Sequence, residues 1–274
     1  MNEKISLAGD LGSGKSTVSE LLIREIGAEY YSTGAIVRSI AAKRGMTVVE
    51  LNVYMETHPE IDNEIDDGLK ALADVDKPLI IDSRMAWHFT KGTFKVYLST
   101  DAEVSAMRIM YANRQGEHAA TLEQTVLDTK ARRNSERKRY MAQYGVDIKD
   151  LTNYSLVVDT TDATPDEVAS RILSSFEAWK SNKELKEAYI CPTRLMYPDD
   201  EADAELIEEY SALLEAGESI PEITVYEDEN EFYLLTGPEA AIAHTISGGT
   251  FIPCKLVARP ENNDVNYVKM MNSL

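Results

Sequence analysis

The residues with the clearest chemical potential form the run Gly9-Asp10-Leu11-Gly12-Ser13-Gly14-Lys15-Ser16 near the N-terminus. An apolar stretch precedes the run, and residues 17–26 follow it with apolar side chains at helical spacing. In such a run the glycines let backbone N–H groups surround phosphate oxygens, and the helix N-terminus adds its positive dipole end. The lysine reaches the β- and γ-phosphates, and the serine hydroxyl coordinates Mg²⁺. The residues predicted to bind the nucleotide are Gly9, Gly12, Ser13, Gly14, Lys15, Ser16 and Thr17.

A second candidate group follows the next strand-like stretch, residues 28–31. It consists of Ser32-Thr33-Gly34 with Arg38 one helical turn further on. A turn of this kind can present a hydroxyl, a backbone amide and a guanidinium to a phosphate or a base. A helix cap explains Ser32 and Thr33 equally well.

A third group, Asp82-Ser83-Arg84, ends the buried-type run 79–82. An acid at this strand end orders water on Mg²⁺ in phosphate-loop enzymes, so Asp82 is a candidate metal residue. Arg84 can clamp a second phosphate. The alternative is a strand-terminal turn with a solvated ion pair.

The densest basic run is residues 130–139, which hold six lysines and arginines. Arg132 and Arg139 lie seven residues apart, on one face of a helix, and could close over the transferred phosphate as a lid. Arg132 and Glu136, at i and i+4, can pair and hold the guanidinium in place. The alternatives for the run are a solvated helix face and a nucleic-acid patch.

The order of the elements predicts the architecture that must position these residues. Strand-like runs at 28–31, 79–82, 94–98 and 155–159 alternate with helix-length segments. This alternation is typical of a parallel sheet covered on both faces, with ligands at the carboxyl ends of its strands. We therefore expect an α/β, three-layer phosphate-loop domain over residues 1–180 and a small α+β domain over 190–274.

Composition excludes several classes of protein. The chain has 274 residues, two cysteines and four histidines, without metal-ligand spacing or a run long enough for a membrane helix. Residues 1–180 hold 22 basic and 28 acidic residues, a charge of −6, whereas residues 181–274 hold 6 and 19, a charge of −13. So acidic a segment is a poor candidate for nucleic acid or an anionic membrane. We expect a cytoplasmic protein that binds neither.

These motifs together resemble the nucleoside monophosphate kinases, and most closely the archaeal-type cytidylate kinases. The resemblance spans about residues 1–175. The matching segments are residues 9–17, 31–34 with Arg38, 44–46, 58–62, 64–66, 81–84, 132–140, 144–147 and 158–160.

The resemblance implies transfer of the γ-phosphoryl group of ATP to CMP or dCMP with Mg²⁺. It implies that Lys15 and Ser16 hold ATP and metal, that Arg38 and Arg84 bind the acceptor phosphate, and that Asp66 lies in the acceptor-binding region. The predicted catalytic residues are Lys15, Asp82, Arg84, Arg132 and Arg139; the predicted substrate residues are Ser32, Thr33, Gly34, Arg38, Asp66 and Arg84; the predicted metal residues are Ser16 and Asp82.

A monophosphate acceptor has a second pKa of about 6, so its attacking oxygen is ionised at neutral pH and no catalytic base is needed. A small alcohol, as in shikimate or gluconate kinases, would need a carboxylate to take its proton, and Asp82 could serve. A nucleotide-sensing regulator without turnover is the third reading.

The C-terminal residues predict a helix, a hairpin, a second helix and a strand. Residues 190–260 resemble the ParB/sulfiredoxin-like fold through this order and through the Gly237-Pro238 step. The His, Arg or Cys that this family places after the glycine is replaced here by Pro238-Glu239-Ala240. We therefore expect an acidic accessory domain that docks on the kinase domain or mediates oligomerisation.

Overall fold

The fold is described from a computed structural model, in residues 3–112, 121–261 and 265–269. Residue contacts divide these into two compact units, one of residues up to 98 with 102–150, and one of 99–101 with the residues from 151 onward. No helix in these ranges is long and apolar enough to cross a bilayer.

The first unit alternates strands with helices. Its elements are β1 (Lys4–Gly9), α1 (Lys15–Ile26), β2 (Glu29–Ser32), α2 (Thr33–Lys43), α3 (Val48–Met55), α4 (Pro59–Ala71), β3 (Leu79–Asp82), α5 (Ala86–Phe89), β4 (Phe94–Ser99), α6 (Ala102–Tyr111) and α7 (Leu122–Tyr144).

The sheet of the first unit has the order β4-β1-β3-β2, and every pair in it is parallel. All six residues of β1 are buried, as expected for a central strand with both faces covered. The predicted α/β fold with a parallel sheet is therefore confirmed. Because the strands run in one direction, the residues at the ends of β1, β2 and β3 meet at one edge: Gly9, Ser32 and Asp82.

Helices α3 and α4 fill the stretch between β2 and β3. Thr47 and Glu50 form a capping box at the start of α3. The two helices pack through a cluster of Ala41, Leu51, Met55 and Ile61. Leu69 at the other end of α4 packs on Leu79 and Ile81 of β3. The acceptor-binding region expected around Asp66 is thus helical and anchored on the sheet.

The second unit contains more strands than the sequence predicts. Its elements are β5 (Leu156–Asp159), α8 (Pro165–Ser181), β6 (Glu187–Ile190), β7 (Leu195–Pro198), α9 (Ala204–Glu215), β8 (Thr224–Asp228), β9 (Glu231–Thr236), α10 (Pro238–Ile246), β10 (Ile252–Leu256) and β11 (Tyr267–Lys269). The predicted order of helix, hairpin, helix and strand is present as α9, β8–β9, α10 and β10. Strands β6, β7 and β11 are additional.

The strands of the second unit follow the order β11-β7-β9-β8-β10-β6-β5. Strand β6 pairs in parallel with β5 and antiparallel with β10, so β5 and α8 are grouped with the C-terminal residues. At the end of β5, the buried Asp159 carboxylate pairs with the buried Arg194 guanidinium at 3.1 Å. The domain boundary expected between residues 180 and 190 stays a prediction. The residue contacts divide the chain at a different place, after residue 150.

Candidate active site

The run Gly9–Ser16 of the sequence spans the turn between β1 and α1, with Gly9 at the end of β1 and Lys15 and Ser16 at the start of α1. Gly9 and Gly12 have φ angles of 152° and 70°. A Cβ atom would lie 2.4 Å from the Leu98 carbonyl oxygen at Gly9 and 2.6 Å from the Ser105 carbonyl oxygen at Gly12. Both positions therefore require glycine, because the turn is left-handed there and pressed against its neighbours.

Lys15 folds back over this turn. Its Nζ donates to the carbonyl oxygens of Gly9 at 3.0 Å and Asp10 at 2.6 Å. Gly14 precedes α1 and has no side chain to cap it, so the backbone N–H groups of the first turn can bind the oxygens of a ligand. A glycine turn, an uncapped helix and an ammonium group suit the phosphates of ATP. Ser16 in that first turn can hold Mg²⁺.

The carboxylate of Asp10, in the turn, binds side chains from distant parts of the sequence. It is almost fully buried and accepts a hydrogen bond from the Tyr97 hydroxyl at 2.7 Å. Arg133 and Lys149 pair with the same oxygen at 3.1 and 3.3 Å. Sequence reasoning missed this cluster, because Tyr97 and Lys149 lie 87 and 139 residues from Asp10 and no local spacing connects them.

A cleft of about 440 Å³ opens at the carboxyl edge of the first unit's sheet. It brings together most of the predicted site residues; those lining it are Gly12, Ser13, Gly14, Lys15, Ser16, Ser32, Thr33, Gly34, Arg38, Asp66, Asp82, Arg84, Arg132 and Arg139. Gly9 and Thr17 are not in its lining. Within the described ranges, no three His, Cys, Asp or Glu side chains form a group that could hold a metal ion.

Glu136 connects two of the predicted arginines. Its carboxylate is 6% exposed and accepts from Arg84 Nε at 2.8 Å and Arg132 Nε at 3.3 Å. The pair with Arg132 is the one that its spacing predicts, whereas the pair with Arg84 was missed. Since both arginines bind Glu136 through Nε, their orientation in the cleft is set by one buried carboxylate.

Another part of the lining holds a polar pair with unused bonding capacity. Arg139 Nε lies 3.8 Å from Asp62 Oδ2, and both atoms are buried without a hydrogen-bond partner among the described residues. The other Arg139 nitrogens make long bonds of 3.5 Å to Asn52 Oδ1 and 3.4 Å to the Tyr140 hydroxyl. Burial raises the pKa of Asp62, against the opposing effect of Arg139. Asp62 was matched as a motif residue in the sequence but not assigned a role.

Beside this pair, Asp66 accepts a hydrogen bond from the Tyr144 hydroxyl, and burial raises its pKa. The predicted substrate residue Asp66 is thus already bonded to α7. Apolar side chains complete this part of the cleft; they are Val37, Val48, Met55, Ile65, Leu69 and Met85. Apolar walls with a few polar groups are typical of a site for a flat organic ring.

Ser32 and Asp82 sit next to each other at the ends of β2 and β3. The Ser32 hydroxyl accepts from the Ala35 backbone N–H at 3.3 Å and caps α2, as the alternative reading of this serine requires. Asp82 Oδ2 accepts from the Tyr30 hydroxyl at 2.9 Å, a contact that the sequence did not predict. Arg38, one turn into α2, reaches the cleft beside Gly34.

Known proteins match the same part of the chain. A family model described as an AAA domain matches residues 5–139. A cytidylate kinase of Archaeoglobus fulgidus is 34% identical over 184 residues, which are 67% of this chain and 99% of that enzyme. An S-adenosylmethionine-dependent nucleotide dehydratase of Lacinutrix mariniflava is 37% identical over 186 residues, but the chain spans only 37% of its length.

Among solved structures, a shikimate kinase from Acinetobacter baumannii in complex with shikimate is similar over 66% of this chain and 96% of that chain, with 20% identity and a TM-score of 0.44. Likeness at this level does not distinguish one substrate from another. The match to the cytidylate kinase, in contrast, covers almost the whole length of that enzyme at 34% identity. The chain therefore belongs to the family of P-loop kinases that includes this cytidylate kinase.

Proposed function

We propose that this P-loop kinase transfers the γ-phosphoryl group of ATP to a nucleoside monophosphate, with CMP and dCMP as preferred acceptors. The observation that carries the proposal is the composition of one cleft. It is lined by the phosphate loop, by the arginines that Glu136 orients, and by a buried Asp62–Arg139 pair with unused bonding capacity. The match to a cytidylate kinase supports the same acceptor class.

In this proposal the cationic side chains divide the phosphates between them. Lys15 and Arg132 bind the transferred phosphate, and Arg38 and Arg84 bind the acceptor's phosphate. The acceptor's oxygen is already ionised at neutral pH, so the protein has to align the two phosphates and stabilise the charge of the transition state. Ser16 would hold Mg²⁺ and Asp82 would order its water. When bound, the ion neutralises charge on the phosphate oxygens.

The Asp62–Arg139 pair supports cytosine as the base. Cytosine presents an amino donor next to acceptors on its ring. Asp62 Oδ2 can accept from that amino group. Arg139, which the sequence predicts as a catalytic lid residue, takes a different role in this proposal, because its Nε can donate to the neighbouring ring nitrogen or oxygen. Uracil has a carbonyl oxygen in place of the amino group, which would set two acceptors against each other and leave the carboxylate unsatisfied. Adenine also carries an amino group beside a ring nitrogen, and here the similarity to a cytidylate kinase supports cytosine.

A coupled assay with ATP and Mg²⁺ tests the proposal against both alternatives. We expect kcat/KM for CMP or dCMP to exceed that for UMP by at least about a hundredfold, because a site built to bond one edge rejects an analogue lacking it. AMP and GMP are measured beside them. Equal rates for all monophosphates would contradict the base assignment. Turnover of shikimate or gluconate without any monophosphate activity would instead establish an alcohol kinase with Asp82 as its base, and ATP binding without transfer to any acceptor would establish a regulator.

A further inference from the structure

The side chain of Tyr30 has no role in the reaction proposed above, yet it contacts Asp82, which does. Tyr30 is the second residue of β2 and pairs with Ile80 of β3. Side chains alternate along a strand, so Tyr30 and Ser32 lie on one face, as do Ile80 and Asp82 beside them. The Tyr30 ring therefore reaches diagonally along the sheet to the Asp82 carboxylate, where its hydroxyl donates to Oδ2 at 2.9 Å.

This bond restrains a side chain that would otherwise turn. Asp82 is the last residue of β3, and the torsion that rotates an aspartate carboxylate has a broad minimum. Among the described residues, the Tyr30 hydroxyl is the one side-chain group that donates to this carboxylate. At 2.9 Å this is a hydrogen bond of ordinary length, and its directionality favours one orientation of the carboxylate.

The Tyr30 hydroxyl donates its hydrogen bond to Oδ2 of Asp82, and Asp82 lines the cleft. Tyr30 can therefore act on the cleft through Asp82.

We propose that Tyr30 is a positioning residue that holds the Asp82 carboxylate in the orientation that orders the water around nucleotide-bound Mg²⁺. The inference rests on the proposed function, because it gives Asp82 its role there. Residues that hydrogen-bond the groups around a metal commonly change metal affinity by about 10- to 100-fold.

The next residue provides a matched control. Tyr31 points to the opposite face of β2 and packs in the cluster of Leu69, Leu79 and Ile81, away from Asp82. A Tyr31→Phe variant removes the same hydroxyl one residue along, and it should leave metal binding unchanged. Circular dichroism checks that each variant is folded.

The experiment measures Mn²⁺ binding to the full chain with a non-hydrolysable ATP analogue, by electron paramagnetic resonance of free Mn²⁺. We expect Tyr30→Phe to weaken Mn²⁺ binding roughly tenfold, at the low end of that range, without changing the affinity for the analogue in the absence of metal. In an Asp82→Asn background, Tyr30→Phe should have no further effect. The concentration of Mg²⁺ that gives half-maximal activity should shift in parallel.

Wild-type metal affinity in Tyr30→Phe would overturn the inference, as would a loss of equal size in Tyr31→Phe or one that persists in the Asp82→Asn background. Because Mn²⁺ binding needs no turnover, the result is independent of the acceptor. A wild-type chain that transfers no phosphoryl group would contradict the proposed function, while the Mn²⁺ comparison would still decide the role of Tyr30.

Discussion

Two buried arginine–aspartate pairs, one in each unit, differ in how completely their aspartates are bonded. In the second unit, Asp159 Oδ1 accepts from Arg194 at 3.1 Å and from the Thr161 hydroxyl at 2.6 Å, and Oδ2 accepts from the Cys191 N–H at 3.2 Å. In the first unit, Asp62 Oδ2 lies 3.8 Å from Arg139 and accepts no hydrogen bond from a described residue.

The difference indicates what each pair does. A buried carboxylate whose two oxygens both accept hydrogen bonds holds its surroundings in one arrangement, and it has little capacity left for a ligand. A buried charge with an unused oxygen in a cleft carries a desolvation cost that a ligand's donor can offset. We therefore expect the first kind of pair to act on folding and the second kind on substrate binding.

The largest effect is expected when the chain is ended after Asn182, at the predicted domain boundary. This change removes Arg194 and also strand β6, the parallel partner of β5. Asp159 would lose the arginine that pairs with it, and β5 would lose its ladder on that side. The boundary predicted from the sequence implies a folded kinase domain that still binds ATP, whereas the pairing of β6 with β5 leads us to expect an insoluble or unfolded product. Thermal unfolding and ATP binding distinguish the two outcomes. A soluble truncated chain with wild-type Tm would instead support separable domains with a boundary at 180–190.

Arg194→Ala isolates the ion pair from the loss of the strand. Removing one partner of a buried pair leaves an uncompensated charge and costs about 3–5 kcal/mol of unfolding free energy. Arg259→Ala is the matched control, because Arg259 is 63% exposed and pairs with Asp228 at 2.8 Å on the surface. Exposed pairs contribute about 0–1 kcal/mol. Urea denaturation of both variants measures the contrast, and equal losses would show that burial does not distinguish them.

Lys15→Ala tests whether the phosphate loop of the first unit serves catalysis and not stability. We expect kcat to fall by about 100- to 1,000-fold, since Lys15 is a preorganised charge at the transferred phosphate. The unfolding free energy should change little, because the ammonium group mainly bonds loop carbonyl oxygens. Lys77→Ala, on an exposed lysine paired with Glu29, is the control with normal turnover. Near-normal kcat in Lys15→Ala would contradict the kinase mechanism.

Local sequence signals predicted one part of this site and long-range contacts determined the rest. Lys15, Ser32, Asp82 and Arg84 could be found because each follows an apolar strand-like run, and parallel strands bring such ends to one edge. Arg132 and Arg139 could be found from helical spacing. Contacts between distant parts of the sequence could not be found in this way, because Tyr30 and Asp82 are 52 residues apart and Asp10 lies 87 and 139 residues from Tyr97 and Lys149.

The second unit was harder to predict for the same reason. Strands β6 and β7 have only four residues each, and Pro198 ends the second. They form because β5, β9 and β10 offer edges to pair with. Arg194, in the turn between them, is fully buried although nothing near it in sequence predicts a buried partner.

The smallest effects are expected for Asp62→Asn, which should weaken substrate binding without lowering the stability of the fold. The amide keeps the shape of the side chain but can present its oxygen or its NH₂ to the base, so we expect roughly a tenfold loss in kcat/KM for CMP and a smaller ratio of CMP to UMP. The affinity for ATP, which Lys15 binds in this proposal, should be unchanged. A variant with wild-type CMP preference would remove Asp62 from base recognition.

The same substitution should make the folded chain slightly more stable at neutral pH. Burial raises the pKa of Asp62 above its unfolded value, so the native state binds more protons than the unfolded state and stability falls as pH rises through that window. Asparagine does not ionise, so the gain in Tm should be present at pH 7 and disappear below the unfolded pKa of about 3.9. Thermal unfolding at both pH values measures this. A loss of stability at pH 7 would mean that Arg139 stabilises the Asp62 charge by more than burial costs it.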